Sequence, residues 1–247
     1  MAKPNPKSSF YNEGMKENLI KEMVEDKEPG EQESFVVGML LALSIGILNA
    51  CTWMTRGHVF ASSQAGNLLY LGLDLAQGKF NQIEKYLFPP LMFGIGIIVA
   101  EHFHDKPHYS TWRRIPMIIE MVMITIATFL PDSWNALANP IFGLACGLQA
   151  ITFRRIHQVP IATTAINGSF QNALEHLTRY INIHEHEDAF RAILYATVVL
   201  DYLVGIIIGG LLVPLMGHKV SLVSVAAIGI SALIIKEKAK ENENTQK

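Results

Sequence analysis

The chain has 247 residues, of which 50% are hydrophobic and 17% are charged, and its formal net charge is −2. Because no basic stripe is present to replace the counterions on phosphates, a nucleic-acid partner is excluded. Charged residues crowd into the two ends and a few short connectors, which leaves apolar stretches long enough to cross a bilayer. Cys51 and Cys146 both lie in such stretches, so neither a disulfide framework nor a cysteine-based metal site is indicated.

The two ends of the chain are polar. Residues 1–34 mix lysines with glutamates and lack the apolar core and cleavage site of a signal peptide. We therefore predict that residues 1–34 are a disordered N-terminal tail and that 236–247 are a similar C-terminal tail. Residues 35–235 then form the membrane domain.

Six apolar stretches predict transmembrane helices. They are Phe35–Met54, Tyr86–Phe103, Ile115–Leu130, Ala136–Phe153, Phe190–Leu215 and Val220–Ile235. Two further stretches, Val59–Gln77 and Pro160–His176, carry many polar side chains. Val59–Gln77 is long enough to span a bilayer, so its placement stays open. Pro160–His176 is more polar still, and because polar groups are costly against lipid we do not expect it to be a span that faces lipid.

An internal repeat relates the two polar stretches. Asn49–Trp53 lines up with Gln149–Phe153, and Ala61–Ser63 lines up with Ala162–Thr164. Each half of the domain then consists of a spanning helix, a short polar segment and two more spanning helices.

Whether the polar segments cross the membrane decides the architecture. If both cross, the chain has eight spans, and if both are re-entrant it has six. The six-span alternative places Lys and Arg more strongly on the cytoplasmic side, as the positive-inside rule favours. We therefore predict an all-α, polytopic transmembrane helical bundle with both termini cytoplasmic. Its two inverted repeats, 35–130 and 136–235, each contain a short polar re-entrant or broken helix, an arrangement that recurs in transporters.

The polar segments are the candidate site for a substrate, because non-helical backbone at membrane depth must be buried in protein or line a wet cavity. A helix that begins near Ser62 or Thr163 has hydroxyl groups available as caps, and its positive end can hold an anion. Gly66 and Gly168 would let another backbone or a ligand approach closely. The candidate residues are Ser62, Ser63, Gln64, Gly66, Asn67, Thr163, Thr164, Asn167, Gly168 and Ser169. The alternative is that these small and polar residues serve only helix packing.

Ionisable residues inside the apolar runs suggest further roles. Asp201 lies deepest, and a carboxylate there must be protonated, paired or facing water. It is the candidate for proton coupling, with an interhelical hydrogen bond as the alternative, and Glu120 is assigned a structural role. Histidines cluster in two polar loops, at His102, His104 and His108 and at His184 and His186. A metal site across these loops is one alternative, but we predict that they are simply solvated and bind no metal.

No enzyme signature is present: the chain lacks a GxSxG elbow, HExxH, a Walker phosphate loop and GxGxxG. We therefore predict no catalytic residue and no cofactor, and we do not expect an enzyme.

Two segments, Gly46–Gly72 and Gly143–Ala173, carry a resemblance to a known family. Their motifs are similar to the G-x-x-D/N-A, V-F-x-x-x-x-T-G-N, G-x-Q-N-A-x-x-R and P-x-A-T-x-x-T-G patterns of the YoaK-like family of bacterial membrane proteins, defined as a domain of unknown function. The matching residues are Gly46, Asn49, Ala50, Val59, Phe60, Gly66, Asn67, Gly147, Gln149, Ala150, Arg154, Pro160, Ala162, Thr163 and Gly168. Ala65 and Asn167 depart from it, since the family usually has Thr at both positions. The resemblance implies a multi-pass bacterial membrane protein of undetermined activity, often supposed to be a small-molecule transporter.

The leading hypothesis is a secondary carrier in the cytoplasmic or inner membrane. Its partners are then the lipid bilayer and a small polar or anionic solute or ion, and a homo-oligomer is left open. The alternative from another class is a non-transporting membrane scaffold or sensor. An enzyme that acts on lipid comes third.

Overall fold

The computed structural model describes residues 34–104, 114–156 and 159–235, which are helical almost throughout. The predicted all-α class is therefore confirmed. In chain order the helices are α1 (Phe35–Thr55), α2 (Gln64–Ala76), α3 (Ile83–His104), α4 (Arg114–Phe129), α5 (Asn135–Thr152), α6 (Ile166–Ile183), α7 (His186–Met216) and α8 (Ser221–Ile234). The C-terminal tail, nearly all of the N-terminal tail and the loop at 105–113 with His108 lie outside the described residues.

The six predicted spans correspond to α1, α3, α4, α5, α7 and α8, and the two polar stretches contain α2 and α6. Within the described residues, three stretches are long and apolar enough to cross a bilayer on length and composition alone: Phe35–Thr55, Phe80–His102 and His186–Ile234. The last of these covers both α7 and α8. α7 has 31 residues, or about 46 Å at the usual rise of an α-helix, so it is longer than the apolar core of a bilayer.

Short connections join most of the helices. Single 3-10 turns precede α3, α5 and α8, at Phe80–Gln82, Asp132–Trp134 and Gly217–Val220. Before α6 the chain forms a small antiparallel pair of strands, β1 (Arg155–Ile156) and β2 (Val159–Pro160), in which Ile156 pairs with Val159.

α1 and α7 run parallel and touch backbone to backbone. A Cβ added to Gly46 would lie 2.2 Å from the Tyr202 carbonyl oxygen, and one added to Gly205 would lie 2.2 Å from the Leu43 oxygen. One turn further along both helices, Gly209 meets Ile47. Only glycine allows this approach, since any β-carbon would overlap the facing main chain.

α3 and α5 make the same kind of contact. A Cβ on Gly96 would lie 2.4 Å from the Leu144 carbonyl oxygen, and one on Gly147 would lie 2.2 Å from the Phe93 oxygen. Gly143 lies against Pro89 one turn earlier on both helices, so this pair is also parallel.

α8 runs antiparallel to both α1 and α4. The Ser224 hydroxyl donates to the Ser44 carbonyl at 2.9 Å, while Cys51 reaches the His218 carbonyl further down α1. On the other side, Thr128 and Ser221 share a hydrogen bond of 2.6 Å. α4 in turn packs against α5, to which it is joined by a short turn. Hence α1, α4 and α7 run one way, and α3, α5 and α8 run the other.

The bundle has a buried apolar centre and an apolar outer surface. Residues of α1, α4, α5 and α8 form the largest core cluster. Large apolar side chains also point outward along α3, α4, α7 and α8, with Leu211 69% exposed and Leu233 83% exposed. An apolar exterior over several neighbouring helices is expected of a surface in contact with lipid.

We expect Gly205→Ala to destabilise the protein, because the new methyl group would overlap the Leu43 carbonyl. Overpacking of this kind costs about 1–3 kcal/mol, and each kcal/mol lowers the unfolding temperature by about 2–4 °C in a domain of this size. Gly210→Ala in the same helix is the matched control, since nothing lies within 4 Å of its added Cβ. Equal unfolding temperatures of the two variants in detergent micelles would contradict the backbone contact.

Candidate functional site

After α1 the chain turns back along the helix that it has just left. Asn49 lies nearly two turns before the end of α1, and its side-chain nitrogen donates to the Ser62 hydroxyl at 2.8 Å. Its oxygen accepts the Ser62 backbone N–H at 3.1 Å. The segment before α2 is thus held inside the bundle at the level of Asn49.

A second amide side chain, that of Asn67, forms hydrogen bonds to the extended backbone that precedes α2. Asn67 is fully buried and accepts the N–H of Phe60 at 2.9 Å, while its own nitrogen donates to the Phe60 carbonyl at 2.8 Å. The same nitrogen also donates to the Gln64 side chain. Asn67 thereby replaces the neighbouring strand or water that this peptide group would otherwise need.

The segment before α6 is held in a related way. Gln149, near the end of α5, donates to the Thr163 hydroxyl at 3.1 Å. The Ile161 N–H donates to the Arg154 carbonyl, and the Tyr195 hydroxyl of α7 donates to the carbonyl of Pro160. Unlike Asn49, Gln149 keeps a buried side-chain oxygen with no hydrogen-bond partner within the described ranges.

The structure corrects the predicted helix caps. α2 begins at Gln64, two residues after Ser62, and α6 begins at Ile166, three residues after Thr163, and neither receives a side-chain cap. The Ser62 and Thr163 hydroxyls are instead engaged by Asn49 and Gln149, which approach from the preceding helix. Both helix N-termini therefore keep N–H groups that no side chain caps.

The candidate residues fall into three groups by exposure. Ser62, Asn67, Thr163, Thr164 and Ser169 are buried, Ser63, Gln64 and Gly66 are partly buried, and Asn167 and Gly168 are exposed. Gly66 is in tight contact, since an added Cβ would lie 2.7 Å from the Phe60 ring. The close approach expected at Gly168 is not seen, as no described atom lies within 4 Å of its added Cβ.

The two polar segments pack on different neighbours: α2 packs on α3, and α6 packs on α7. They are related through the core: Asn49 also donates to the Tyr202 hydroxyl at 3.1 Å, and Tyr202 lies within electrostatic range of Cys146, one turn before Gln149.

Asp201 lies on α7 beside Tyr202 and is partly buried. Tyr195, less than two turns earlier, bonds to the segment that leads into α6, so Asp201 lies close to the level at which α6 begins. No described hydrogen bond or ion pair involves its carboxylate. The candidate histidines that are described form no metal site: within the described ranges, no three His, Cys, Asp or Glu side chains group together.

Arg56, which the sequence did not single out as a site residue, is a buried side chain with several hydrogen bonds. It has 0% side-chain exposure and donates to the Ala127 and Thr128 carbonyls, each at 3.0 Å. It also donates to Asn135 and lies 3.5 Å from the exposed carboxylate of Asp132. Burial lowers the pKa of Arg56 and the Asp132 carboxylate opposes that shift, so the guanidinium stays charged.

A long apolar outer surface, alternating helix directions and polar segments turned back into the core define a multi-pass α-helical membrane protein. The chain belongs to the family described as a protein of unknown function (DUF1275), whose profile matches residues 37–234. The predicted YoaK-like membership is thereby confirmed.

A relative of this chain is named as a transmembrane protein. UPF0700 transmembrane protein YoaK of Bacillus subtilis (strain 168) is 24% identical over 198 residues, which cover 76% of this chain and 88% of the relative. No solved structure matches.

We expect Asn49→Ala to release the segment before α2, because the Ser62 N–H and hydroxyl would lose their partner inside the bundle. An unpaired buried polar group costs about 1–3 kcal/mol, so the unfolding temperature should fall by several degrees. In a Cys51→Ser, Cys146→Ser background, a cysteine at Ser63 should also react faster with a maleimide. Asn182→Ala at the exposed end of α6 is the control; unchanged reactivity in the Asn49 variant would rule out the bond.

Proposed function

We propose that the protein is a secondary carrier for a small polar or anionic solute, built from two inverted repeats that each hold a re-entrant polar segment. The observation that carries this proposal is the pair of amide–hydroxyl bonds at matching places. Asn49 and Gln149 each bond to a hydroxyl, on Ser62 and Thr163, that lies 13 and 14 residues further along the chain.

The packing of the helices supports the repeat. The main packed pairs are α1 with α7, α3 with α5, α2 with α3, α6 with α7, α1 with α8, α4 with α5, and α4 with α8. If α1–α4 exchange places with α5–α8 in order, every pair maps onto another member of the set or onto itself. The two halves therefore interlock: α1, the first spanning helix of one half, packs on α7 of the other half, and α5 packs on α3 in the same way.

The glycine contacts follow the same exchange. In both interfaces each glycine faces the carbonyl oxygen of the residue three places before the opposite glycine. Leu43 precedes Gly46 and Tyr202 precedes Gly205 in this way, as Phe93 precedes Gly96 and Leu144 precedes Gly147. Two unrelated interfaces would have no reason to share this register.

Helix directions support the inversion. α1 and α5 begin the two halves and run in opposite directions, as do α4 and α8, which end them. Since α1 and α3 are also opposed, the chain between them leaves and returns on one side, as it would with a re-entrant α2. The same holds for α6, between α5 and α7. Both termini then lie on the same side, with most Lys and Arg residues.

The chemistry of the segments favours a polar or anionic solute. The N-termini of α2 and α6 carry partial positive charge and no side-chain cap, and Asn167 and Gly168 leave the α6 end exposed. Half-helices that end near the midplane of inverted repeats are the usual place for substrate in secondary transporters. In this proposal Asp201, near the start of α6, is available to bind a coupling proton or to contact the solute.

The scaffold alternative is supported by a different observation. In the first half, Asn49 and Asn67 find partners within the protein for both ends of their amide groups, as expected if the segment serves only packing. Flux and topology measurements separate the two functions.

We expect six spans when single cysteines are labelled in intact cells, in a Cys51→Ser, Cys146→Ser background. An impermeant maleimide should reach cysteines at Gln77 and Ser133 from outside. A cysteine at His184 should react only after permeabilisation, and one at Lys219 should react from outside under either topology. Labelling of Gln77 and Ser133 only after permeabilisation would mean eight spans and parallel halves, and would remove the inverted repeat.

The carrier function is tested by counterflow into proteoliposomes with labelled phosphate, sulfate, acetate, succinate and glutamate. We expect at least one solute to exchange, and Asn167→Leu to slow that exchange at least about tenfold, the equivalent of losing about 1.4 kcal/mol of binding. Asn182→Ala should leave it unchanged. If no solute of the panel exchanges, the carrier proposal fails and the scaffold is favoured.

A further inference from the structure

Glu120 is an acidic side chain buried at the centre of the bundle. It lies near the middle of α4 and is 1% exposed, with Met117 and Ile124 fully buried one turn to either side. These neighbours belong to the main apolar cluster, which also contains Phe142 and Cys146 of α5 and Ile228 of α8. The carboxyl group is therefore surrounded by apolar side chains.

In the described part of the chain, no cationic side chain is paired with this carboxyl group. Among the described residues, no Lys, Arg or His forms an ion pair with it, and its Oε1 is buried without a hydrogen-bond partner. α8 contains no ionisable residue, and on α5 the ionisable group within electrostatic range is Cys146. On α4 itself Arg114, nearly two turns away, bonds to the Ile235 carbonyl.

The other charged groups of the helices that surround Glu120 lie at the far end of α4. Arg56 bonds to the Ala127 and Thr128 carbonyls there, and His218 and Lys219 belong to the turn that contacts Ser221. These residues lie about two turns of helix from Glu120, or roughly 10 Å.

An isolated carboxylate in such surroundings is far more costly than a carboxylic acid, so the group holds its proton in this conformation. Releasing the proton to water requires the bundle to open at α4. Proton coupling requires a group that holds its proton in one conformation and releases the proton in another.

The geometry points to Glu120 as a proton-binding site of this protein, separate from Asp201 and coupled to the segment before α2 through the core. Cys146 is within electrostatic range of both Glu120 and Tyr202, and the Tyr202 hydroxyl accepts the hydrogen bond of Asn49, which holds Ser62. When Glu120 gives its proton to water, a negative charge appears in the core near Cys146. When the proton returns, the neutral packing is restored. The coupling to solute rests on the proposed carrier function, whereas the proton site itself does not.

The test uses dicyclohexylcarbodiimide, an apolar reagent that adds to protonated carboxyl groups in membranes. The carboxylic proton passes to a nitrogen of the reagent, the carboxylate oxygen bonds to its central carbon, and rearrangement leaves a stable N-acylurea. Applied to the full chain in nanodiscs, it should modify Glu120, as read by mass spectrometry of the peptides. Because only the protonated acid reacts, labelling should fall at least about tenfold from acidic to alkaline buffer.

Variants make the assignment specific. Glu120→Gln should abolish the adduct, while Glu84→Gln, at an exposed position at the start of α3, should leave it unchanged. Asp201→Asn distinguishes the two carboxyl groups: if the adduct lies on Asp201 and is lost in this variant, Glu120 is not the proton site. Labelling of Glu120 that does not depend on pH would also overturn the proposal.

The coupling is tested by the distance between spin labels on cysteines at Gln77 and Ser133, in the same cysteine-replaced background. We expect the distance distribution to differ between acidic and alkaline buffer. Glu120→Gln, which mimics the protonated acid, should keep the acidic distribution in both. A pH response that survives in this variant would overturn the coupling. If the response is lost but no solute exchanges in proteoliposomes, the proton site stands and the carrier function fails.

Discussion

Two stretches of buried, non-helical backbone, those before α2 and before α6, set the constraint on which this fold depends. Lipid cannot bond to free N–H and C=O groups, so each peptide group that leaves a helix inside the bundle must find a partner in the protein. Asn67 provides both partners for Phe60, and Asn49 provides them for the N–H and hydroxyl of Ser62. Before α6, a pair of short strands and Gln149 share the task. These amides are what permits α2 and α6 to begin within the core.

Arg56 closes the turn at which the first of these stretches starts. The last carbonyls of α4 have no partner within their own helix, and the Arg56 guanidinium bonds to two of them. The Arg56 carbonyl in turn accepts a hydrogen bond from Asn139 of α5. One side chain thus ties the end of α1 to the hairpin of α4 and α5, at the junction between the two halves. Its loss would leave a buried helix end unsatisfied.

Two closely packed helix pairs lie on either side of α4 and α8. Glycine contacts bring α1 against α7 and α3 against α5 through their main chains, so each pair is held by close packing with few side chains between. Between these pairs lie α4, which carries the buried Glu120, and α8, which contains no ionisable residue. If Glu120 is a proton site, movement between the two pairs would change its access to water.

Hydropathy and charge along the chain were enough to predict the six apolar helices and the two polar segments, because both are local properties of the sequence. The sequence also indicated the matching hydroxyls of Ser62 and Thr163. Their partners became clear only from the packing of the helices: Asn49 and Gln149 bond to them from preceding helices, so they do not cap α2 and α6. Arg56 resembled a loop charge and Glu120 an ordinary structural acid until packing showed both to be buried. Burial and pairing arise from helices distant in sequence, and no local pattern encodes them.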